Sequence, residues 1–400
     1  MVSLSQTSDA TAGRSAAWGA VCSMSLCVFV LIASEFMPVS LLTPIARDLA
    51  VSEGQAGQSI AISGIFAVLT SLFLTSVIGN LDRKIVLLSM TALMAVSGVV
   101  VALAPNYLVL MIGRALIGVV IGGFWSMSTA TVMRLVPEDA VPKALAIISA
   151  GNALAASTAA PLGSFLGAYI GWRGAFFSVV PLAVVALIWQ WIALPSLKKE
   201  SSGSSSPFGA LAMLRQPIMA AGMLAVLLMF MGQYGVYTYF RPFLETVTQA
   251  DVSTISLMLL AVGVAGLVGT IVVGRILDHT VYGFVIAVPL LLALAALALI
   301  PFGTSAAAVF VIFGIWGLVS TPSSVGWFTW LSRAVPSNAE AGGGLIVATI
   351  QFAITLGAAG GGILYDTGGA NLTFLVSAVV LVAAALAAAM TAYLGTRGRT

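Results

Sequence analysis

Residues 18–43 read WGAVCSMSLCVFVLIASEFMPVSLLT. Glu35 is the one charged side chain in this run. At 1.5 Å per residue a helix of this length exceeds the ~30 Å hydrocarbon layer of a bilayer. It is too long for the apolar core of a signal peptide and carries Glu35 and Pro38 inside it, so it reads as an uncleaved first span behind a polar start, Met1–Ala17.

Working outward with the same ruler gives twelve segments, at about 18–43, 55–79, 85–104, 107–130, 141–167, 173–194, 217–240, 253–278, 282–301, 305–331, 340–364 and 370–394. Only residues 195–216, which contain KKESSGSSSP, interrupt the pattern as a flexible polar linker. The expected organisation is an all-α membrane protein of twelve transmembrane helices. Residues 1–194 form an N-terminal six-helix half, 195–216 a cytoplasmic linker and 217–400 a C-terminal six-helix half.

Composition agrees with the bilayer as solvent. Hydrophobic residues make up 60% of the chain and charged ones 7%, against about 25% charged in soluble domains. The 41 glycines fit close helix packing. Lysines and arginines segregate between alternate connections. Arg14, Arg83, Lys84, Arg134, Lys143, Lys198, Lys199, Arg215, Arg275, Arg333, Arg397 and Arg399 fall on one side, and Arg47, Arg173 and Arg241 on the other. The positive side is the cytoplasmic one, which places both termini and the linker there.

Several function classes find little footing. A net charge of +3 without a basic, aromatic-interleaved patch gives no footing for nucleic acid. Cys22 and Cys27, five residues apart on one helix, cannot face each other, and there is no CxxC pair or metal-ligand cluster. No cofactor is implied. An enzyme would need a nucleophile and a base within reach, yet the single histidine, His279, lies at a loop and no second acid is near Glu35 in sequence. A sensor would need a soluble output domain, and the longest polar segment is the linker.

Glu35 is the acidic residue well inside a predicted span. A carboxylate at that depth costs about 2.5–3.5 kcal/mol on insertion scales, so it faces a cavity or a partner. A titrating carboxyl that opens to either side is what proton coupling requires; the plainer reading is a static packing hydrogen bond. Arg114 is the basic residue deep in a span, at a depth matching Glu35. The two are expected to interact, unless Arg114 instead satisfies backbone carbonyls and fixes helix packing. Asp82-Arg83-Lys84, at the cytoplasmic end of span two, is echoed by Asp278 at the end of span eight. It reads as a conformational latch or as a solvated charge run. Candidate cavity-lining residues are Asn152, Gln233, Tyr234, Tyr237, Trp316, Trp327, Trp330 and Gln351, with Trp125 and Ser126 on span four. Flat aromatics suit a planar ligand and amides its hydrogen-bonding edges, although Trp and Tyr also collect at membrane interfaces. Aligning Asp82 with Asp278 places Gln233 within two residues of the counterpart of Glu35.

With these residues in view, the chain resembles the drug:proton antiporter branch of the major facilitator superfamily across nearly its whole length. Gly113-Arg114-Ala-Leu-Ile-Gly118 is similar to that branch's arginine motif, and Gly79–Lys84 to a shortened form of its loop motif. Span five is similar to the antiporter motif, with Ala160 where Gly usually precedes Pro161. Glu35-Phe-Met-Pro-Val-Ser, Gly122-Gly-Phe-Trp-Ser-Met-Ser, Met133-Arg-Leu-Val-Pro and Tyr239-Phe-Arg-Pro resemble, more narrowly, the purine-ribonucleoside exporters of the branch. The resemblance implies the major facilitator fold in a bacterial inner membrane, and export of inosine- or guanosine-type nucleosides in exchange for protons. The proton gradient supplies the energy. Export of drugs or sugars is the alternative, because the Glu-Phe-x-Pro-Val start is shared with exporters of both. Glu35 and Arg114 would handle the proton, and Gln233, Tyr237, Trp125, Asn152, Trp327 and Gln351 the substrate. Asp82, Arg83 and Asp278 would form the latch. The implied partners are a small-molecule substrate, protons and lipid, with no obligatory protein.

Overall fold

In a computed structural model, residues 17–78, 81–197, 212–334 and 339–397 are described. The chain is helical because backbone groups in lipid must be satisfied within their own segment. The helices are α1 (Trp18–Leu49), α2 (Glu53–Ile78), α3 (Arg83–Ala102), α4 (Tyr107–Leu135) and α5 (Val141–Ala193), then α6 (Pro217–Tyr237) and α7 (Phe240–Thr246). There follow α8 (Val252–His279), α9 (Val281–Phe302), α10 (Ala306–Ser320), α11 (Ser323–Ala334) and α12 (Ala339–Arg397). The turns between them are short, and several end in side-chain caps. Asn106, Asp251, Thr280 and Ser305 each accept a hydrogen bond from the backbone N–H three residues on, at 3.1, 3.1, 3.0 and 3.4 Å. Most of the linker and part of the span-two loop motif, residues 198–211 and 79–80, lie outside the described residues, as do Arg14 and Arg399.

With α6 and α7 taken together, and α10 with α11, ten segments among the described residues are long and apolar enough to cross a membrane. Two differ from the sequence expectation of separate spans. Helix α5 has 53 residues and α12 has 59, about twice what one crossing needs. Each contains a single non-helical glycine, Gly171 (φ 72°) and Gly369 (φ 65°), in the left-handed region that glycine enters without a Cβ penalty. Five connecting residues were expected at each place, 168–172 and 365–369; one glycine suffices.

Neighbours trace the path. Ile147 of α5 accepts from Ser25 Oγ near the start of α1, at 2.8 Å. Trp172 Nε1 donates to Asp48 at the end of α1, at 3.2 Å. Gln190 then stands beside Thr91 of α3, and Trp191 accepts from Lys84, back at the level where α3 begins. In α12, Asp366 meets the start of α2, whereas Gly395 packs on Tyr282 and Ile218 at the starts of α9 and α6. The face at which α1 begins is called the terminal face below, and the one at which it ends the far face.

Buried apolar side chains form two large clusters. One is built on α1–α5 around Met24, Leu31, Ile117 and Phe124. The other is built on α6–α12 around Met229, Phe243, Trp316 and Phe374. A small third group, Val39, Ile60, Ala61, Ile354 and Ala358, sits where α1 and α2 meet α12. Small residues set the close approaches: a Cβ on Gly118 or Gly122 of α4 would overlap the Ser63 or Ala67 carbonyl of α2.

Candidate substrate and proton site between the two helix clusters

Helix α1 carries Glu35 just past its middle, 4% exposed. Its carboxylate Oε1 accepts a hydrogen bond from Gln351 Nε2 of α12 at 3.3 Å, so the two helix clusters are joined through this side chain. Gln351 is 8% exposed. A buried carboxylate at bilayer depth is thereby given a polar partner, which lowers the cost of keeping it there.

Arg114 of α4 is 1% exposed and serves the first cluster alone. Its Nε donates to Ser59 O (3.0 Å), Nη1 to Ser34 O (2.7 Å), and Nη2 to Glu35 O (3.1 Å) and Ser63 Oγ (3.2 Å). The planar fork pins α1 and α2 onto α4 and reaches Glu35 through its main chain. Of the two sequence-level readings, this geometry is that of the carbonyl-satisfying arginine. The α4 glycines make it possible by bringing the α2 backbone within reach.

Next to Glu35, Phe36 stacks on Tyr234 of α6, with centroids 5.9 Å apart and planes 24° apart. From Tyr234 the aromatics continue edge to face through Tyr237 (5.8 Å) to Phe240 (5.5 Å). Gln233 is buried, and its Oε1 has no hydrogen-bond partner, an unusual state for a buried carbonyl oxygen. Glu35, Gln351, Phe36 and Tyr234 thus meet where the two clusters face each other, with Gln233 beside Tyr234 in the chain and Tyr237 one turn on along α6. The other candidates are placed elsewhere. Trp125 packs edge-on to Phe124 in the first cluster (6.2 Å). Asn152 is partly buried on α5 after Gly151, which abuts Ser25. Trp327 is fully buried in the second cluster, its indole N–H on Met229 Sδ at 3.3 Å and its ring edge-on to Trp330. Trp316 is likewise core, and Ser126 bonds its own helix at Gly123 O.

At the terminal face, Asp82 caps α3 by accepting from Lys84 N at 2.8 Å. It also accepts from Leu197 N (2.9 Å) and from Ser196 Oγ. Arg83 N donates to Leu197 O at 3.2 Å. The α2–α3 turn is thus tied to the chain leaving α5. Asp278 is exposed near the end of α8, beside Leu277, whose carbonyl takes Arg333 Nη2 at 3.1 Å.

Two far-face features escaped the sequence. Arg241, counted there among loop charges, is 5% exposed on α7. It donates to Ser40 O of α1 and pairs with Glu245 at 2.7 Å, one turn on. The i,i+4 opposite charges were the available signal. Asp366 of α12 accepts from Ser52 Oγ (2.6 Å) and Gly54 N (3.0 Å) at the start of α2. Together with Ser256–Ser164 (2.9 Å) and Thr355–Ala61 O (3.4 Å) they make a polar seam joining the clusters from mid-depth to the far face.

Two bundles of membrane-length helices, meeting along such a seam with a buried carboxylate in it, have the build of a secondary transporter. The chain belongs to the Major Facilitator Superfamily, whose family model matches residues 24–354. It is 53% identical over 388 residues, 96% of either chain, to the Transcription regulatory protein OpdE of Pseudomonas aeruginosa. It is 41% identical over 372 residues, 93% of either chain, to the Purine ribonucleoside efflux pump NepI of Salmonella enteritidis. Among solved structures it superposes on the nucleoside transporter NupG with a TM-score of 0.75 at 14% identity, covering 93% of this chain and 98% of that one. At that identity the likeness is one of fold.

Proposed function

We propose that this protein is a twelve-span, proton-coupled exporter of purine ribonucleosides, of the inosine and guanosine type, working by alternating access in a bacterial inner membrane. The reversals at Gly171 and Gly369 turn ten segments into twelve crossings. The lysine and arginine bias puts both termini in the cytoplasm, with residues 1–194 and 217–400 as the moving halves and 195–216 as their linker. Glu35 is the proton site. Arg114 fixes the backbone that presents it, and Gln351, Gln233 and Tyr237 contact substrate. Trp125, Asn152 and Trp327 would join them only in another conformation. Asp82, Arg83 and Asp278 steady the cytoplasmic side.

The observation that carries this reading is the Glu35–Gln351 hydrogen bond, because its two partners belong to different halves. Opening the far face must break it, so the occupancy of the carboxylate and the state of the gate are linked. The substrate class rests on the 41% identity to the nucleoside pump; drugs or sugars are the alternative cargo. The test is labelled inosine in proteoliposomes with an imposed pH gradient. Gradient-driven accumulation that guanosine blocks and arabinose does not would support the reading, and inosine that stays put while a drug or sugar moves would discard the substrate.

The 53% identity to a relative named as a transcription regulatory protein favours a second reading, in which the chain influences gene expression. Transcripts that change on deletion, and are restored equally by wild type and a Glu35→Gln protein that has lost gradient-driven export, would separate signalling from export.

A further inference from the structure

Resting on the nucleoside reading, we infer that the Glu35–Gln351 pair is the element that selects 6-oxopurines over 6-aminopurines. The pair presents a hydrogen-bond acceptor and a donor side by side. Oε1 of Glu35 and Nε2 of Gln351 lie 3.3 Å apart, in contact with one another, on side chains 4% and 8% exposed. An ionised carboxylate only accepts, so the amide must turn its NH2 group towards it, which fixes which end of Gln351 is which. One amide hydrogen is used on Glu35. The second, together with the remaining carboxylate lone pairs, is left for a ligand.

That pattern matches one edge of a purine. Hypoxanthine and guanine carry an acceptor at O6 and, next to it, a donor at N1–H. Gln351 Nε2 donates to O6 while Glu35 accepts from N1–H. The 2-amino group of guanine adds a second donor to the same carboxylate, giving two parallel charge-assisted bonds. Adenine has the reverse order, a donor at N6 and an acceptor at N1. It would set N6–H against the amide hydrogen and N1 against the carboxylate, leaving buried polar groups unpaired on both sides. Sites built to hydrogen-bond a particular N–H discriminate strongly against analogues that lack it, whereas apolar pockets do not.

The surroundings fit a flat base with a polar appendage. Phe36 and Tyr234, each the sequence neighbour of a polar candidate, already stack on one another across the halves at 5.9 Å. Gln233 holds a buried carbonyl oxygen without a partner, an acceptor for a hydroxyl of the ribose. Protonation leaves this carboxyl neutral, so the bond from N1–H loses its charge assistance and the 2-amino group of guanine loses its acceptor. Nucleoside and proton therefore weaken one another's hold on one group.

The experiment is counterflow of labelled inosine in proteoliposomes of the full chain, with inosine, guanosine, 1-methylinosine and adenosine as competitors. Guanosine should compete better than inosine, and 1-methylinosine and adenosine at least about tenfold less well than inosine. The double variant Glu35→Gln/Gln351→Glu keeps both side-chain sizes and the cross-half bond while exchanging acceptor and donor, so adenosine should overtake inosine. If that protein fails to fold, Gln351→Met serves instead, and inosine should fall to the level of adenosine. Equal competition by all four nucleosides in the wild type, or a ranking unchanged in the folded variant, overturns this inference and leaves the nucleoside reading standing. A wild-type protein that moves no purine nucleoside overturns the reading itself.

Discussion

Replacing Arg114 by lysine keeps the charge and removes the fork. The guanidinium makes four hydrogen bonds, to Ser59 O, Ser34 O, Glu35 O and Ser63 Oγ, on two different helices. A lysine ammonium is a single point of donation, and from α4 it can serve one of those helices. Two bonds at about 1.5–3 kcal/mol each are then lost, about 3 kcal/mol at the lower limit. At about 2–4 °C per kcal/mol for chains of a few hundred residues, the melting temperature should drop by roughly 6–12 °C. The protein carries its own reporter in Cys27, fully buried beside Thr91 at 3.4 Å. A thiol-reactive dye added during a thermal ramp, in a Cys22→Ser background, reads the exposure of Cys27 on unfolding. A lysine variant melting within about 2 °C of its parent would refute the view that the fork, rather than the charge, pins α1 and α2 to α4.

Other consequences are smaller or more local. Gly54→Val places a side chain where Asp366 Oδ2 and the Gly362 carbonyl already sit; it should block far-face closure without unfolding, read as increased labelling of a Ser164→Cys reporter. Asp82→Ala removes the α3 cap and the tie to Leu197, which should lower stability by about 1–2 kcal/mol, measured with the same dye. Asp251 caps α8, and its carboxyl is held below the usual range mainly by the hydrogen bond from Thr254. A carboxyl depressed in the folded state stabilises above its unfolded pKa and loses that contribution as pH falls through the lowered value. Acid should therefore loosen the α8 start, and Asp251→Asn should flatten that part of the stability–pH profile.

The membrane class and the burial of Glu35 and Arg114 inside the bundle were legible because a charge inside an apolar run is conspicuous by itself. Span limits were legible to within a few residues, except where one glycine replaced a loop. The partner of Glu35 was not legible, since Gln351 lies 316 residues away and no local period connects them. Arg241 escaped because a span drawn to end at 240 turned it into a loop charge, whereas α7 carries the helix on to Thr246. Trp327 and Trp330 look alike in sequence whether they line a cavity or fill a core, and packing alone decides: both are 1% exposed in the second cluster. Asp366, read as a connector residue, gains its role only from the fold-back of α12 that brings it to the start of α2.

The most direct test of the central claim compares wild type with Glu35→Gln in two modes: inosine accumulation driven by a pH gradient, and inosine exchange without one. An amide at position 35 still accepts the hydrogen bond from Gln351 but cannot take up and release a proton. The account predicts that gradient-driven accumulation disappears while exchange survives. Accumulation by Glu35→Gln at the wild-type level would contradict it and move the proton to another group.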